Sequence, residues 1–272
     1  MLHFSISPLE IPRSFFKNRS LIWQMSKREI VGKYRGSILG ILWSFVNPLL
    51  MLSMYTIVFG YVFQSRWGMQ NESKMDFALA LFIGLSVFQL FSESFQRSPS
   101  LIVSNANYVK KVVFPLEVYS FISLLTSIFH VGLNFLLILL FFIISKSQVP
   151  HLIFLLPIAL LPLLFFCLGI TWFLSALGVF FRDLQQIISF GNTILLFLSP
   201  IFFPLEKLPV FLQKIAILNP LTFPLEWARG LILYNQFPNI LQYLIFLMSS
   251  IVFTWIGFVF FQKTRKGFAD VL

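Results

Sequence analysis

The chain has 272 residues, of which 58% are hydrophobic, 18% aromatic and only 11% charged, and its mean hydropathy is +0.86. A water-soluble domain carries about 25% charge, so a soluble globule, a disordered chain and a nucleic-acid-binding domain are excluded despite the net charge of +10. A single cysteine, Cys167, excludes a disulfide framework and a cysteine-based zinc site.

Nothing before Ile38 combines an apolar core with a small-residue cleavage site, which predicts that the N-terminus is not cleaved. Within a cytoplasmic segment 1–37, residues 11–28 predict an amphipathic helix. Arg13, Lys17, Ser20, Gln24, Lys27 and Arg28 share one arc, with Ile11, Phe15, Leu21, Ile22 and Met25 opposite, interrupted by Asn18 and Arg19. Such a helix fits the inner leaflet with its apolar side in the acyl boundary; packing on a partner is the alternative.

Beyond it come six uncharged windows, of 30 residues (Gly36 to Ser65), 16 (Phe77 to Ser92), 28 (Val118 to Ser145), 35 (Ser147 to Phe181), 22 (Leu184 to Leu205) and 33 (Gly230 to Gln262). A helix needs about 20 apolar residues to span a bilayer. Five windows suffice outright, and the second does if it runs past Glu93. The fold class is therefore all-α and polytopic, with six transmembrane helices at 38–63, 77–96, 116–144, 152–181, 186–203 and 239–261. One side of this arrangement, with both termini, holds 14 of the 20 Lys and Arg; the other holds Arg66, Lys74, Lys146, Lys207, Lys214 and Arg229. The positive-inside rule then puts both termini in the cytoplasm.

Two loops stand out. In 97–114, Ser98-Pro99-Ser100 resembles a helix start and the amphipathic run to Lys111 predicts a short helix parallel to the membrane, a lipid-held basic loop being the alternative. In 204–238, the run Leu208 to Leu218 is bracketed by Pro204, Pro209, Pro220 and Pro224 and is too short to cross. It predicts two short re-entrant helices beside a translocation route, or else a surface cap. The two halves of the chain share no motif, which weakens an inverted-repeat carrier.

Catalytic chemistry is sparse. His3, His130 and His151 are scattered and no paired carboxylates occur, which argues against an enzyme. Ion coupling would need His130, Glu93 or Glu117; His130 has Asn134 one helical turn on, and the glutamates sit near helix ends where carboxylates pair with loop cations. The phosphate-cradling G-x-x-x-x-G-K-[ST] loop is missing, so ATP-driven transport would require a separate ATPase.

The segment Arg28-Glu29-Ile30, Lys33-Tyr34-Arg35, Ser37, Leu39-Gly40, Leu42-Trp43 and Pro48 resembles the start of the first span in permease subunits of polysaccharide-exporting ABC transporters, which export O-antigen, capsule and teichoic acid. Four more landmarks follow in that family's order: Lys110-Lys111-Val112-Val113-Phe114-Pro115, Phe181-Arg182-Asp183, Ser199-Pro200-Ile201 and Asn219-Pro220-Leu221-Thr222. Departures are Glu29, where Asp is commoner, and Ala228, where an aromatic is expected.

The resemblance implies a homodimer in the bacterial inner membrane, with two copies of an ATPase subunit that hold ATP and Mg, moving a lipid-linked glycan. It assigns ATPase coupling to Arg28, Tyr34, Arg35, Ser98, Asn105, Lys110, Lys111, Arg182 and Asp183. An outer gate would comprise Ser199, Pro200, Asn219, Pro220 and Arg229, and Trp43, Tyr55, Phe59, Tyr61 and Phe88 are available to line a sugar channel. Aromatic rings cover the C–H faces of sugars, although most of the 36 Phe must face lipid or pack between helices. O-antigen is favoured; another lipid or drug-like substrate, or a proton-driven flippase, is the rival reading.

Overall fold

A computed structural model describes residues 6–58, 74–110, 114–146, 150–205 and 208–272. Phe59, Tyr61 and Lys111 lie outside the described residues.

The amphipathic segment forms two helices, α1 (Glu10–Lys17) and α2 (Arg19–Lys33), broken at Asn18, whose side-chain amide donates to the Ser14 carbonyl at 2.9 Å. The lipid-lying expectation is corrected in one respect. Ile22 is buried, and Ile11, Phe15, Leu21 and Met25 pack on the bundle, with Phe15 edge-on to Phe121 at 5.3 Å. The apolar arc has found protein, because Phe121 and Ile122 present a complementary face, while Leu9, Phe16, Trp23 and Val31 remain outward. Gly36 (φ 88°) and Gly40 (φ 52°) then turn the chain through left-handed backbone that a side chain would strain.

Next come α3 (Trp43–Tyr55), α4 (Lys74–Arg97), α5 (Ala106–Lys110), α6 (Val118–Lys146) and α7 (Leu156–Phe180). They are followed by α8 (Leu184–Leu198), α9 (Val210–Leu218), α10 (Thr222–Leu233), α11 (Ile240–Thr264) and α12 (Phe268–Val271). Among the described residues, five stretches are long and apolar enough to cross a bilayer: Gly40–Val58, Asp76–Ser100, Val118–Ile143, His151–Phe180 and Ile240–Val271. The expected fifth span, 186–203, is cut to the 15 residues of α8. Its length of about 22 Å is short of a 30 Å core. The cause is Pro200, which pushes Ser199 into extended backbone (φ −81°, ψ 147°) and ends the helix at Leu198.

The second window, shortest by sequence, belongs to the most enclosed helix: 78% of the α4 stretch is buried, against 6% of the α3 stretch. Protein, not lipid, therefore receives the polar groups of α4. Around it, α7 and α11 approach closely where Gly169 meets Gly257, and a Cβ on Gly169 would lie 2.7 Å from the Thr254 Cα. Thr254 Oγ1 donates to the Phe165 carbonyl across this contact at 2.6 Å. Small residues and interhelical hydrogen bonds hold helices together where no water is available to drive association.

The expected single helix over 98–111 is also corrected. Two 3₁₀ turns, Ser98–Ser100 and Val103–Asn105, precede the short α5. Pro99 sits on Gly178 of α7 so closely that a Cβ there would strike its carbonyl, and the Ser98 hydroxyl donates back to the Ser94 carbonyl. Leu101 and Ile102 are buried beside Ile22 and Trp172. Anchored at both points, the chain cannot wind freely as an interfacial helix.

Candidate functional site

A cavity of about 280 Å³ with mixed walls opens between the end of α2 and helices α3, α4 and α6, its polar groups set among Pro48, Met51, Phe82 and Leu85. Its floor follows from helical spacing. Gln89 and Glu93 lie one turn apart on α4, and His130 and Asn134 one turn apart on α6, so two polar stripes meet. The His130 Nδ1 lies 3.0 Å from both Glu93 carboxylate oxygens, and Asn134 Nδ2 donates to Gln89 Oε1 at 2.9 Å. Lys33 Nζ donates to Glu93 at 3.3 Å. With Nδ1–H donated to the carboxylate, Nε2 of a neutral His130 is left to accept the Tyr34 hydroxyl, 3.4 Å away. Burial, and secondly the Glu93 charge, hold the Tyr34 phenol above its ordinary pKa, keeping it a donor. Trp43, Ser44, Asn47 and Tyr55 of α3 form the opposite wall.

Of the aromatics expected to meet sugar, Trp43 and Tyr55 thus line an open cavity. Phe88 does not: it is 6% exposed in the core, 6.5 Å from Phe91, so within one chain it faces no path. Lys33, Ser44, Asn47 and Gln89 were not among the expected site residues. The available signal was a pair of polar residues four apart in each of two otherwise apolar windows.

The residues expected to couple to an ATPase gather at the end of the bundle that carries α5 and α12, with exceptions. A second cavity of about 280 Å³ is bordered by Arg28, Glu29, Arg97, Ser104, Asn105 and Tyr119, and Arg97 pairs with Glu29. Lys110, Arg182 and Asp183 are exposed. Gln185 donates to the Gln96 carbonyl at 3.0 Å, tying the Arg182 turn to the Ser98 turn. Ser98 itself is buried and can only act from beneath the surface; Tyr34 belongs to the first cavity, and Arg35 is exposed beside it in sequence. Glu117 binds this end together: it accepts from Arg265 at 2.7 Å and Ser14 at 3.1 Å, while its carbonyl accepts from Trp172 Nε1 at 3.1 Å.

At the opposite end the expected gate residues converge. Asn219 Nδ2 donates to Ser199 Oγ at 2.8 Å, and the fully buried Arg229 donates to the carbonyls of Ala80 (3.0 Å), Pro200 (2.5 Å) and Ile201 (2.8 Å). One guanidinium thereby joins α10, the start of α4 and the end of α8. Gly84 makes room for it, since a Cβ there would overlap the guanidinium. Pro220 follows Asn219 at the turn into α10.

The sequence profile of ABC-2 type transporters matches residues 20–233, most of the chain and all of the helices that build these three regions except α1, α11 and α12. The chain belongs to the ABC-2 type transporter family. Its relatives include the O-antigen export system permease protein RfbA of Myxococcus xanthus, 27% identical over 96% of this chain and 99% of that protein. The RfbA protein of Klebsiella pneumoniae is 28% identical over 93% and 95%. The capsule polysaccharide export inner-membrane protein CtrC of Neisseria meningitidis is 23% identical over 78% of each chain. In this ABC-2 type transporter chain all five family-like motifs except the Lys110–Pro115 run, part of which lies outside the described residues, sit on described backbone, spread over both ends of the bundle. What they share is a position at a helix end, where Pro, Gly or a charge fixes how one span gives way to the next.

Proposed function

We propose that this chain is the membrane-spanning subunit of an exporter for a lipid-linked polysaccharide, with O-antigen-type glycan favoured. It would work as a homodimer in the inner membrane, powered by two copies of a separate ATPase subunit. The observation that carries this reading is the end-to-end match to proteins named as O-antigen export permeases, which reaches 99% of one of them. The capsule-export relative is less similar and covers less of the chain.

Six crossings with both termini in the cytoplasm complete the proposal. Although α8 is short, it is bonded through Gln185 to Gln96 near the end of α4, and the Pro200 and Ile201 carbonyls just beyond it meet Arg229 beside Ala80 near the start of α4. This supports α8 running antiparallel to α4 over nearly the same depth, with α9 and α10 re-entering from the outer side. The ATPase would dock on the surface of Arg28, Asn105, Lys110, Lys111, Arg182 and Asp183, with Ser98, Tyr34 and Arg35 behind it. Trp43 and Tyr55, with Phe59 and Tyr61, would contribute to the glycan path.

The test is replacement in a bacterium whose own O-antigen export permease has been deleted, supplying this chain together with a candidate ATPase subunit from the same source. Surface glycan should return, and the two proteins should co-purify with ATPase activity that is absent from this chain alone. Co-purification without any surface glycan would exclude the polysaccharide reading and leave a lipid or drug-like substrate.

A further inference from the structure

We infer that the cavity between α3, α4 and α6 is a binding site for the sugar-bearing head of an amphiphile, whose hydrocarbon chain lies in the adjoining seam between α3 and α6. The inference rests on the polysaccharide-export reading for its choice of a sugar, and it names a subsite within a single chain.

One face of α6 carries the argument. Read at helical spacing from mid-helix onward it runs His130, Asn134, Leu137, Phe141, polar at the middle of α6 and apolar beyond. His130 and Asn134 line this cavity, while Leu137, Leu140 and Phe141 with Leu49 and Leu52 of α3 and Thr56 just past its end line an apolar groove of about 470 Å³. His130 and Leu137 are separated by about 10 Å along the helix. The polar part lies near the middle of α6 and the apolar part in its second half, toward the end opposite α5 and α12. A ligand matching both is a lipid with its head at mid-helix and its tail toward that end.

The chemistry of the head follows from the lining. The one permanent cation of the cavity is already committed, since Lys33 faces Glu93 at 3.3 Å, and the same carboxylate takes the His130 Nδ1–H at 3.0 Å. The lysine charge is answered inside the site, which leaves no surplus for a phosphate. What remains are groups that both donate and accept: the amides of Asn47, Gln89 and Asn134 and the hydroxyl of Ser44, beside the Trp43 ring. That combination suits a neutral polyhydroxylated ring, whose hydroxyls need partners of either sense and whose C–H faces need an aromatic surface. A further observation points to a missing partner. Asn134 is 3% exposed and borders the cavity, yet its Oδ1 has no hydrogen-bond partner among the described residues. A buried carbonyl oxygen left without a donor is costly, and a turn of the Asn134 amide toward the cavity would let a ligand hydroxyl supply one. The volume suits one sugar ring and not a chain.

The full-length chain, in phosphatidylcholine nanodiscs, would be irradiated with octyl β-glucoside carrying a diazirine at the chain end, in parallel with an octyl phosphate carrying the same tail. The glucoside should label the 49–57 and 137–141 segments, excess methyl β-glucoside should suppress it, and Asn134→Leu and Gln89→Leu should each reduce it about tenfold. Equal labelling by the phosphate, or glucoside labelling unchanged by both substitutions, would overturn the sugar assignment, because the seam would then be taking tails alone. Should both variants melt early, competition by methyl β-glucoside on the unaltered chain decides, and its absence overturns the inference. Restoration of surface glycan in cells without glucoside labelling refutes this site and leaves the export reading intact; labelling without restoration does the reverse.

Discussion

Arg229 shows how one residue can fasten a membrane protein. With no water in the bilayer core, the carbonyls of Ala80, Pro200 and Ile201 need an internal donor, and the guanidinium serves all three. Each carbonyl orphaned in the interior costs about 1–3 kcal/mol, so Arg229→Met is expected to lower the melting temperature in detergent by on the order of 10 °C. Arg229→Lys should fall between, because one ammonium lacks the planar fork. Gly84→Ala, which puts a methyl where the guanidinium sits, should resemble Arg229→Met more than an ordinary glycine substitution. The Glu117–Arg265 pair at the other end is only 12% exposed on each side. Breaking it from one side should cost about 3–5 kcal/mol, whereas Glu117→Met with Arg265→Met should cost less than the sum, as a double-mutant cycle in thermal denaturation would show.

At the scale of elements, the anchored turns after α4 offer a route from an ATPase to the spans. Ser98–Ser100 rests on α7 through Pro99 and Gly178, so a displacement of the 98–110 segment pushes directly on α7. Gly178→Ala is expected to cost about 1–3 kcal/mol through overpacking and to lift the turn, seen as faster tryptic cleavage after Arg97. In Asn105→Pro the bond from the Asn105 N–H to the Ile102 carbonyl, 3.0 Å long, is lost together with the side-chain bond to Leu101 at 2.9 Å. Export should fail while the complex with its ATPase is still recovered; normal surface glycan from Asn105→Pro would remove the segment from the transport mechanism. Lys110→Ala, on an exposed side chain, should change export far less.

For the whole molecule, the open quantity is the number of crossings, and α8 decides it. In a Cys167→Ser background, Arg182→Cys and Phe211→Cys sit at the two exposed positions flanking α8. Six crossings require that a membrane-impermeant maleimide label Phe211→Cys in intact cells and Arg182→Cys only after lysis. Labelling of both from one side would mean that α8 does not cross, leaving the five long apolar stretches as the only spans.

Hydropathy is a local property, and what depends on it was legible in the residues: the membrane class, the helical content and the apolar stretches around 40–58, 118–143, 151–180 and 240–271. The stretch holding Glu93 counted only by running past it, and the expected span 186–203 ran through Pro200, where the helix in fact stops. The order of the family-like motifs was legible only through their resemblance to a known family, not through hydropathy. Which helix is enclosed and which faces outward was decided only by packing. The shortest window, holding Gln89 and Glu93, became the most buried helix, and the amphipathic arc of Ile22 and Phe15 met α6 instead of lipid. The contacts that make a site, Glu93 to His130 across 37 positions and Arg229 to Ala80 across 149, join residues that no local pattern relates. They form because a buried polar group in an apolar bundle must find its partner wherever the fold brings one within reach.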